Sequence, residues 1–160
     1  MKKLTNIVLA GLVGLLAWTG AASAAPEDTK QKVVYHINGD DPKQQTGALR
    51  NVQNHINAVG KDKLDLRVVM HGNGVSMVLL PESLENVKGF KHANADPQMQ
   101  ASIDGLKQQG VAFKVCANTL EGRKVNREAD LYMVDEIDIV PSGVAELAIL
   151  QGQGFSYIKP

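Results

Sequence analysis

Short apolar runs, rich in β-forming residues and closed by turn residues, recur along the chain after residue 32. They predict five β-strands, which lie at residues 33–37, 66–70, 111–115, 137–140 and 155–158. Several of the segments between these runs carry the spacing of an amphipathic helix instead. The chain therefore shows the alternation of strand and helix that is typical of an α/β protein.

The two longest intervening segments place apolar residues three and four positions apart, which predicts amphipathic helices. In the first segment, Asp41 stands at the N-cap, Pro42 at the first helical position and Gly60 at the end. Asp96 and Pro97 repeat this start signal before the second segment. These local signals predict where both helices begin.

Shorter elements complete the prediction. A turn or helix is expected around residues 118–125 and a helix over 144–150, while residues 75–80 fit either a helix or a strand. Strands that alternate with helices imply right-handed crossovers and a mainly parallel sheet. We expect one α/β domain over residues 33–160, with about five strands and helices on both faces, of flavodoxin-like or Rossmann-like design.

The first 24 residues have the pattern of a secretory leader. Two lysines precede an uncharged apolar stretch at residues 7–18, and Ala22-Ser23-Ala24 fits the small-residue rule for cleavage. The apolar stretch is shorter than the roughly 20 residues that a membrane-spanning helix needs. We therefore expect cleavage after Ala24, export to a bacterial periplasm without a stable membrane anchor, and a flexible lead-in over residues 25–32.

Charge and composition exclude several classes of protein. The chain has 17 Lys and Arg against 17 Asp and Glu, so it lacks the basic surface that nucleic-acid binding requires. Its single cysteine excludes a disulfide framework and a multi-cysteine zinc site. Residues 72–74 lack the third glycine and the acidic residue of a dinucleotide fingerprint. We expect no cofactor, and no ligand spacing supports a metal site.

Polar and glycine residues follow each of four predicted strands. In a parallel sheet these positions lie along one edge, where ligands gather. The candidate ligand-binding residues at this edge are Asn38, Gly39, Gly72, Asn73, Asn118, Thr119, Ser142 and Gly143. The alternative interpretation, that such residues only form the turns after strands, stays open for each cluster.

Cys116 differs from these residues because it closes a predicted strand just before a predicted helix. Unpaired backbone N–H groups and the helix dipole at such a place lower the pKa of a thiol and favour the nucleophilic thiolate. Asn118 is the expected helix cap, with Glu121 in the capping-box position. His71, at the end of another strand, is the candidate base or hydrogen-bond donor. The alternative is a Cys116 that packs as a small apolar residue.

Residues 106–120, which run through a Gly-Val pair and a strand to Cys116, resemble the DsrE/DsrF-like family of sulfur-relay proteins. The resemblance extends to the turn at 38–40, to residues 68–72 and to the closing segments 140–143 and 157–160. It implies a compact α/β domain that assembles as a trimer or hexamer. It also implies that Cys116 carries sulfur as a persulfide between donor and acceptor proteins.

The predicted leader sets this chain apart from the cytoplasmic members of the family and makes transfer-RNA chemistry improbable. We expect an exported protein that carries sulfane sulfur on Cys116. The alternatives are a non-catalytic module that binds a small ligand or a protein at the same edge, and a structural subunit of a larger assembly. A further rival to the persulfide is an intermolecular disulfide through Cys116.

Overall fold

The computed structural model describes residues 30–160, so the predicted leader and most of the predicted lead-in lie outside the described residues. The strands are β1 (Gln31–Ile37), β2 (Leu64–Met70), β3 (Ala112–Cys116), β4 (Ile139–Val140) and β5 (Ser156–Ile158). The helices are α1 (Pro42–Val59), α2 (Pro97–Gln108), α3 (Ala117–Arg123), α4 (Arg127–Asp130) and α5 (Gly143–Gly152). Because β1 begins at Gln31, the last two residues of the predicted lead-in belong to the sheet.

All five strands run parallel in one sheet, in the order β4-β3-β2-β1-β5. The prediction of a single α/β domain with a mainly parallel five-stranded sheet is confirmed. The strands β1 and β2 pair along seven residues and form the centre of the sheet. From β1 to β4 each new strand adds on the same side of the sheet, whereas β5 adds on the other side of β1.

Helices pack on both faces of the sheet, as predicted. On one face, α1 and α2 enclose the larger core with apolar residues that include Val52, Ile103 and Phe113. On the other face, Leu147 and Leu150 of α5 pack against strand residues of a smaller core. Among the described residues, no helix is both long enough and apolar enough to cross a membrane.

The predicted helix starts at Asp41 and Asp96 are confirmed. The Asp41 side chain accepts a hydrogen bond from the backbone N–H of Gln44 at 2.7 Å. Asp96 accepts one from Met99 N–H at 2.8 Å, and each cap is followed by proline. These side chains satisfy N–H groups that a helix start leaves without a partner.

Residues 75–80, for which the pattern fitted either a helix or a strand, contain the end of a 3₁₀ helix over Gly72–Met77. Leu79 then forms an antiparallel bridge with Leu131. The fourth strand is shorter than predicted, because residues 136–138 form a 3₁₀ turn and only Ile139–Val140 pair with β3. Both differences come from contacts with distant segments, which a local pattern does not contain.

Alternation along the strands decides which residues share the face that α5 covers. Val34 and Val69 pack against α5 in the smaller core. Successive side chains of a strand point to opposite faces, so His36 and His71 share this face with Val34 and Val69. The α5 face therefore carries two histidines at the carboxyl ends of the central strands.

Candidate functional site

Cys116 is the last residue of β3 and the N-cap of α3. Its neighbour Val115 pairs with Met70, so Cys116 lies beside His71 at the ends of adjacent strands. The first residue of α5, Gly143, packs against both. A Cβ atom at Gly143 would lie 2.7 Å from the Cβ of His71 and 3.3 Å from the Cβ of Cys116. Three chain segments therefore converge on the cysteine.

Hydrogen-bond donors surround the sulfur of Cys116. Burial raises the pKa of the Cys116 thiol, but the Thr119 hydroxyl and three backbone N–H groups outweigh this effect and lower the pKa below its ordinary value. The N–H groups belong to Gly143, Thr119 and Asn118. Donors that point at an anion stabilise it, so they favour the thiolate over the thiol. The environment predicted for Cys116 is thus present, and two helix starts contribute to it.

The Thr119 hydroxyl links the cysteine to the loop after β2. Its oxygen accepts a hydrogen bond from the backbone N–H of Gly72 at 2.9 Å. Since the oxygen already accepts from Gly72, the hydroxyl proton is left to donate to the sulfur. The predicted site residues Gly72 and Thr119 therefore belong to one hydrogen-bonded unit around Cys116.

Cys116 is buried. Only 5% of the residue is exposed, although it lies at the predicted edge of the sheet. The groups around it include the Thr119 hydroxyl and the backbone of Gly143, which also packs against His71. The surroundings of the sulfur, here called the Cys116 pocket, are therefore covered and polar.

His36, near the end of β1, is the middle member of a row of three hydrogen-bonded side chains. Its Nε2 lies 2.7 Å from the Nε2 of His71, and its Nδ1 lies 2.6 Å from the hydroxyl of Tyr157. The two imidazole rings are inclined by only 20°. Both ring nitrogens of His36 therefore have hydrogen-bond partners.

The surroundings keep both histidines neutral. Burial, the neighbouring His71 and the ammonium group of Lys159 lower the pKa of His36 to about 4. Burial and Lys159 also lower the pKa of His71 from its ordinary value. Neutral imidazoles each have one donor and one acceptor nitrogen, which is what a short contact between two Nε2 atoms requires.

A small cleft with a cavity volume of about 10 Å³ opens beside His36 at the end of β1. Its lining includes the predicted residues Asn38 and Gly39, and Lys159 and Pro160 from the chain end that follows β5. The complete lining is His36, Ile37, Asn38, Gly39, Gln44, Gln45, Lys159 and Pro160. Ligands of open α/β sheets bind where the strand order reverses, and β1 stands at that point here. The cleft is thus a second part of the site, next to the histidine pair.

Three of the predicted site residues form hydrogen bonds within the fold. The side-chain oxygen of Asn73 accepts from the Arg123 guanidinium at 2.6 Å, and Ser142 caps α5 by accepting from Ala145 N–H at 3.4 Å. Asn118 is not the cap of α3, because the helix begins at Ala117 and its N-cap is Cys116, two residues earlier than expected. Asn118 contributes its backbone N–H instead of its side chain.

The sequence analysis did not find His36, Tyr157 or Lys159 as site residues. Strand alternation placed His36 on one face, but its partner Tyr157 is 121 residues further along the chain. That neighbourhood depends on β5 pairing with β1, which no local pattern reveals. No group of three or more His, Cys, Asp or Glu side chains within residues 30–160 is arranged to hold a metal ion.

The fold and the site define a class of protein: a parallel α/β domain with a donor-surrounded cysteine at the carboxyl edge of its sheet. The model of the DsrE/DsrF-like family matches residues 32–160. The chain belongs to the DsrE/DsrF-like family. It has no significant match among curated proteins.

Two solved structures share the fold. A protein of unknown function, MTH1491 from Methanobacterium thermoautotrophicum, is 27% identical with a TM-score of 0.64. The similarity covers 82% of this chain and all of that one. The ychN protein from E. coli is 20% identical with a TM-score of 0.59, over 81% of this chain and 99% of that one.

Proposed function

We propose that the protein carries sulfane sulfur as a persulfide on Cys116. The observation that carries this proposal is the set of donors around the Cys116 sulfur, the Thr119 hydroxyl and three backbone N–H groups, which lower the pKa of the thiol. A thiolate is the form of cysteine that attacks sulfur. Membership of the DsrE/DsrF-like family supports a role related to sulfur relay.

The proposed reaction moves a neutral sulfur atom between two thiols. The Cys116 thiolate attacks the outer sulfur of a hydropersulfide, R–S–SH. An S–S bond to Cys116 forms while the S–S bond of the donor breaks, and the electron pair of that bond leaves with R–S⁻. The leaving thiolate then takes up a proton. No net oxidation or reduction occurs, so the step needs no redox cofactor.

The hydrogen-bond donors around the Cys116 sulfur suit a persulfide as well as a thiolate. A persulfide bound to Cys116 is also an anion near neutral pH, and it needs hydrogen-bond donors when it is buried. The low exposure of Cys116, 5%, limits contact with bulky oxidants. Such shielding matters for the export that the leader predicts, because the periplasm is an oxidising compartment.

A second part of the proposal is that the protein works as a homo-oligomer, such as a trimer or hexamer, that exchanges sulfur with donor and acceptor proteins. The supporting observation is α5, which has Leu147 and Leu150 buried against the sheet but leaves Val144 and Ile149 more than half exposed. Helices that are apolar all round are normally buried. A second copy of the chain is the partner we propose for this surface.

Intact mass measurement tests the sulfur-carrier function. After incubation with an inorganic polysulfide, the wild-type protein is expected to gain about 32 Da for each sulfur atom bound. Dithiothreitol should remove the added mass. Because the chain has a single cysteine, a reducible mass gain is assigned to Cys116, and Cys116→Ser is the matched control. A wild-type protein that gains no reducible mass at any donor concentration contradicts the proposal.

The cleft beside His36 supports a second candidate function, a module that binds a small ligand without catalysis. Its lining offers backbone and amide groups together with the ammonium group of Lys159, a set that suits an anion. Under this alternative, Cys116→Ser leaves ligand binding unchanged. A sulfur carrier instead loses its function with the same substitution, so this one variant separates the two candidates.

A further inference from the structure

Three side chains connect the surface of the protein with the edge of the Cys116 pocket. Tyr157 on β5 is 43% exposed, and its hydroxyl lies 2.6 Å from Nδ1 of His36. His36 is only 9% exposed, and its Nε2 lies 2.7 Å from Nε2 of His71. His71 in turn packs against Gly143, which also contacts Cys116. The two linking distances are those of short hydrogen bonds.

The short contact between two Nε2 atoms requires that one of them carries a proton and the other does not. Two arrangements satisfy the chain. In the first, Tyr157 donates to His36 Nδ1 and His36 Nε2–H donates to His71 Nε2. In the second, every hydrogen bond is reversed, so that His71 Nε2–H donates to His36 and His36 Nδ1–H donates to the Tyr157 oxygen. In the first arrangement a neutral His71 carries its proton on Nδ1. In the second, the proton of each of the two hydrogen bonds has crossed to the other partner, and Nδ1 carries none.

We propose that Tyr157, His36 and His71 form a proton path between solvent and the Cys116 pocket. This inference rests on the proposed function, because sulfur transfer is the reaction that needs the proton. His71 is the member beside the pocket, while His36 and Tyr157 act through it as positioning residues. Because Nε2 of His71 is bonded to His36, we assign the other ring nitrogen, Nδ1, to the reacting group.

The proton balance of the transfer step follows from the two arrangements. His71 gives its Nδ1 proton to the leaving thiolate R–S⁻ and takes a proton on Nε2 from His36. His36 takes a proton on Nδ1 from Tyr157, and Tyr157 takes one from water. When a Cys116 thiol later loses its proton, the same shifts run in reverse and release a proton to solvent. Sulfur loading thus converts the first arrangement into the second, and deprotonation of the thiol converts the second back into the first.

The charged and titratable groups around the histidine pair favour a neutral path. Tyr157 and Lys159 face the pair from β5 and the chain after it, and Cys116 faces it from the end of β3. The helix that covers this face, α5, carries one charged residue, Glu146. Burial and Lys159 lower the pKa of both histidines, so near neutral pH the three linked side chains pass protons while both imidazoles stay neutral.

The test uses Tyr157→Phe, which removes the hydroxyl and keeps the ring. Its matched control is Tyr35→Phe, which removes a tyrosine hydroxyl 3.0 Å from His55 on the opposite face of the sheet. His36→Gln is a second variant that breaks the path at its centre. The transfer of sulfur from cysteine hydropersulfide is followed from about pH 5 to pH 9, and ¹⁵N NMR reports the tautomers of the histidine rings.

We expect Tyr157→Phe and His36→Gln to slow sulfur transfer about tenfold near neutral pH and to change the pH profile. Tyr157→Phe should also shift the ring ¹⁵N resonances of His71, which Tyr157 does not touch. Tyr35→Phe should change neither measurement. Equal slowing in Tyr35→Phe, unchanged His71 resonances, or an unchanged transfer rate in Tyr157→Phe overturns the path.

The two proposals fail in different ways. If the wild-type protein takes up no sulfur from any donor, the proposed function is overturned, and the NMR comparison alone decides whether the path exists. If transfer is normal in the wild-type protein and also in both path variants, the function stands and the proton path is overturned.

Discussion

At the scale of single residues, the site depends on neighbours that favour the thiolate of Cys116 and the neutral form of two histidines. The Cys116 sulfur is stabilised as a thiolate by donors from α3 and α5. The histidine pair is kept neutral by burial and by Lys159. Both effects are created by neighbours from other segments, so neither residue would behave this way in a short peptide.

His36 makes the stability of the fold depend on pH in a defined window. Its pKa falls from 6.5 in the unfolded chain to about 4 in the folded protein. Between these values the unfolded chain binds more protons than the folded protein does, so acid favours unfolding. The contribution of His36 to the free energy of unfolding is therefore complete above about pH 6.5 and is lost as the pH falls towards 4.

The variant His36→Gln tests this window. Between about pH 7 and pH 5 we expect the wild-type protein to lose about 1–2 kcal/mol more of its free energy of unfolding than the variant does. Urea denaturation at a series of pH values measures the difference. The exposed His92→Gln is the control and should follow the wild-type curve. A His36→Gln curve parallel to that of the wild type contradicts the assignment.

At the scale of secondary structure elements, the turn before α5 is the tightest point of the site. Gly143 separates Cys116 from His71 so closely that a methyl group has no room beside either side chain. The start of α5 supplies an N–H group to the sulfur and also carries Leu147 into the core of the second face. The position of this helix therefore affects both stability and the acidity of the thiol.

Gly143→Ala should displace the start of α5 and weaken the fold. We expect a loss of about 1–3 kcal/mol in the free energy of unfolding, because the added Cβ must move backbone or the buried His71. Alkylation of Cys116 by iodoacetamide near neutral pH should also slow, since a donor to the thiolate moves away.

Gly105→Ala is the matched control for this substitution. Gly105 lies within α2, where an added Cβ meets no atom within 4 Å. Alanine is the better helix former, so this variant should gain about 0.5–1 kcal/mol and keep the wild-type alkylation rate. Urea denaturation and timed alkylation give both quantities. A Gly143→Ala protein as stable and as reactive as the wild type contradicts the packing described here.

The elements that the sequence predicted well are those whose signals are local. Asp41 and Asp96 mark helix starts because a cap and its N–H partner lie within three residues of each other. Cys116 was found in the same way, at a strand end before a helix. The partnership of His36 with Tyr157 was not, because it depends on β5 returning to the opposite side of β1. Strand order is a property of the whole sheet and leaves no local pattern.

At the scale of the whole molecule, α5 and its neighbourhood leave apolar area exposed. Ile137, Val144 and Ile149 are 80%, 62% and 53% exposed. Single exposed apolar residues are common, but two on one short helix that is also buried on its other side indicate a contact surface. Val144 directly follows Gly143, so the homo-oligomer proposed above would cover a surface adjoining the Cys116 pocket.

The double variant Val144→Glu with Ile149→Glu tests the proposed assembly. We expect the wild-type protein to sediment as an oligomer and the variant to sediment mainly as a monomer, because the charges would be buried without partners. Stability should change little, since both positions are exposed in one subunit. Gln98→Glu on the exposed side of α2 is the control. A wild-type protein that sediments as a monomer at all concentrations overturns the proposal.

The attachment of β5 has a consequence for motion within the native protein. This strand pairs with β1 along only three residues, and its Tyr157 side chain is half in solvent. Short, exposed edge elements open locally far more often than a whole domain unfolds. Detachment of β5 would break the hydrogen bond between Tyr157 and His36 while the larger core around α1 and α2 stays intact. Amide hydrogen exchange should therefore be faster in β5 than in β2, and the histidine pair would meet water each time the edge strand opens.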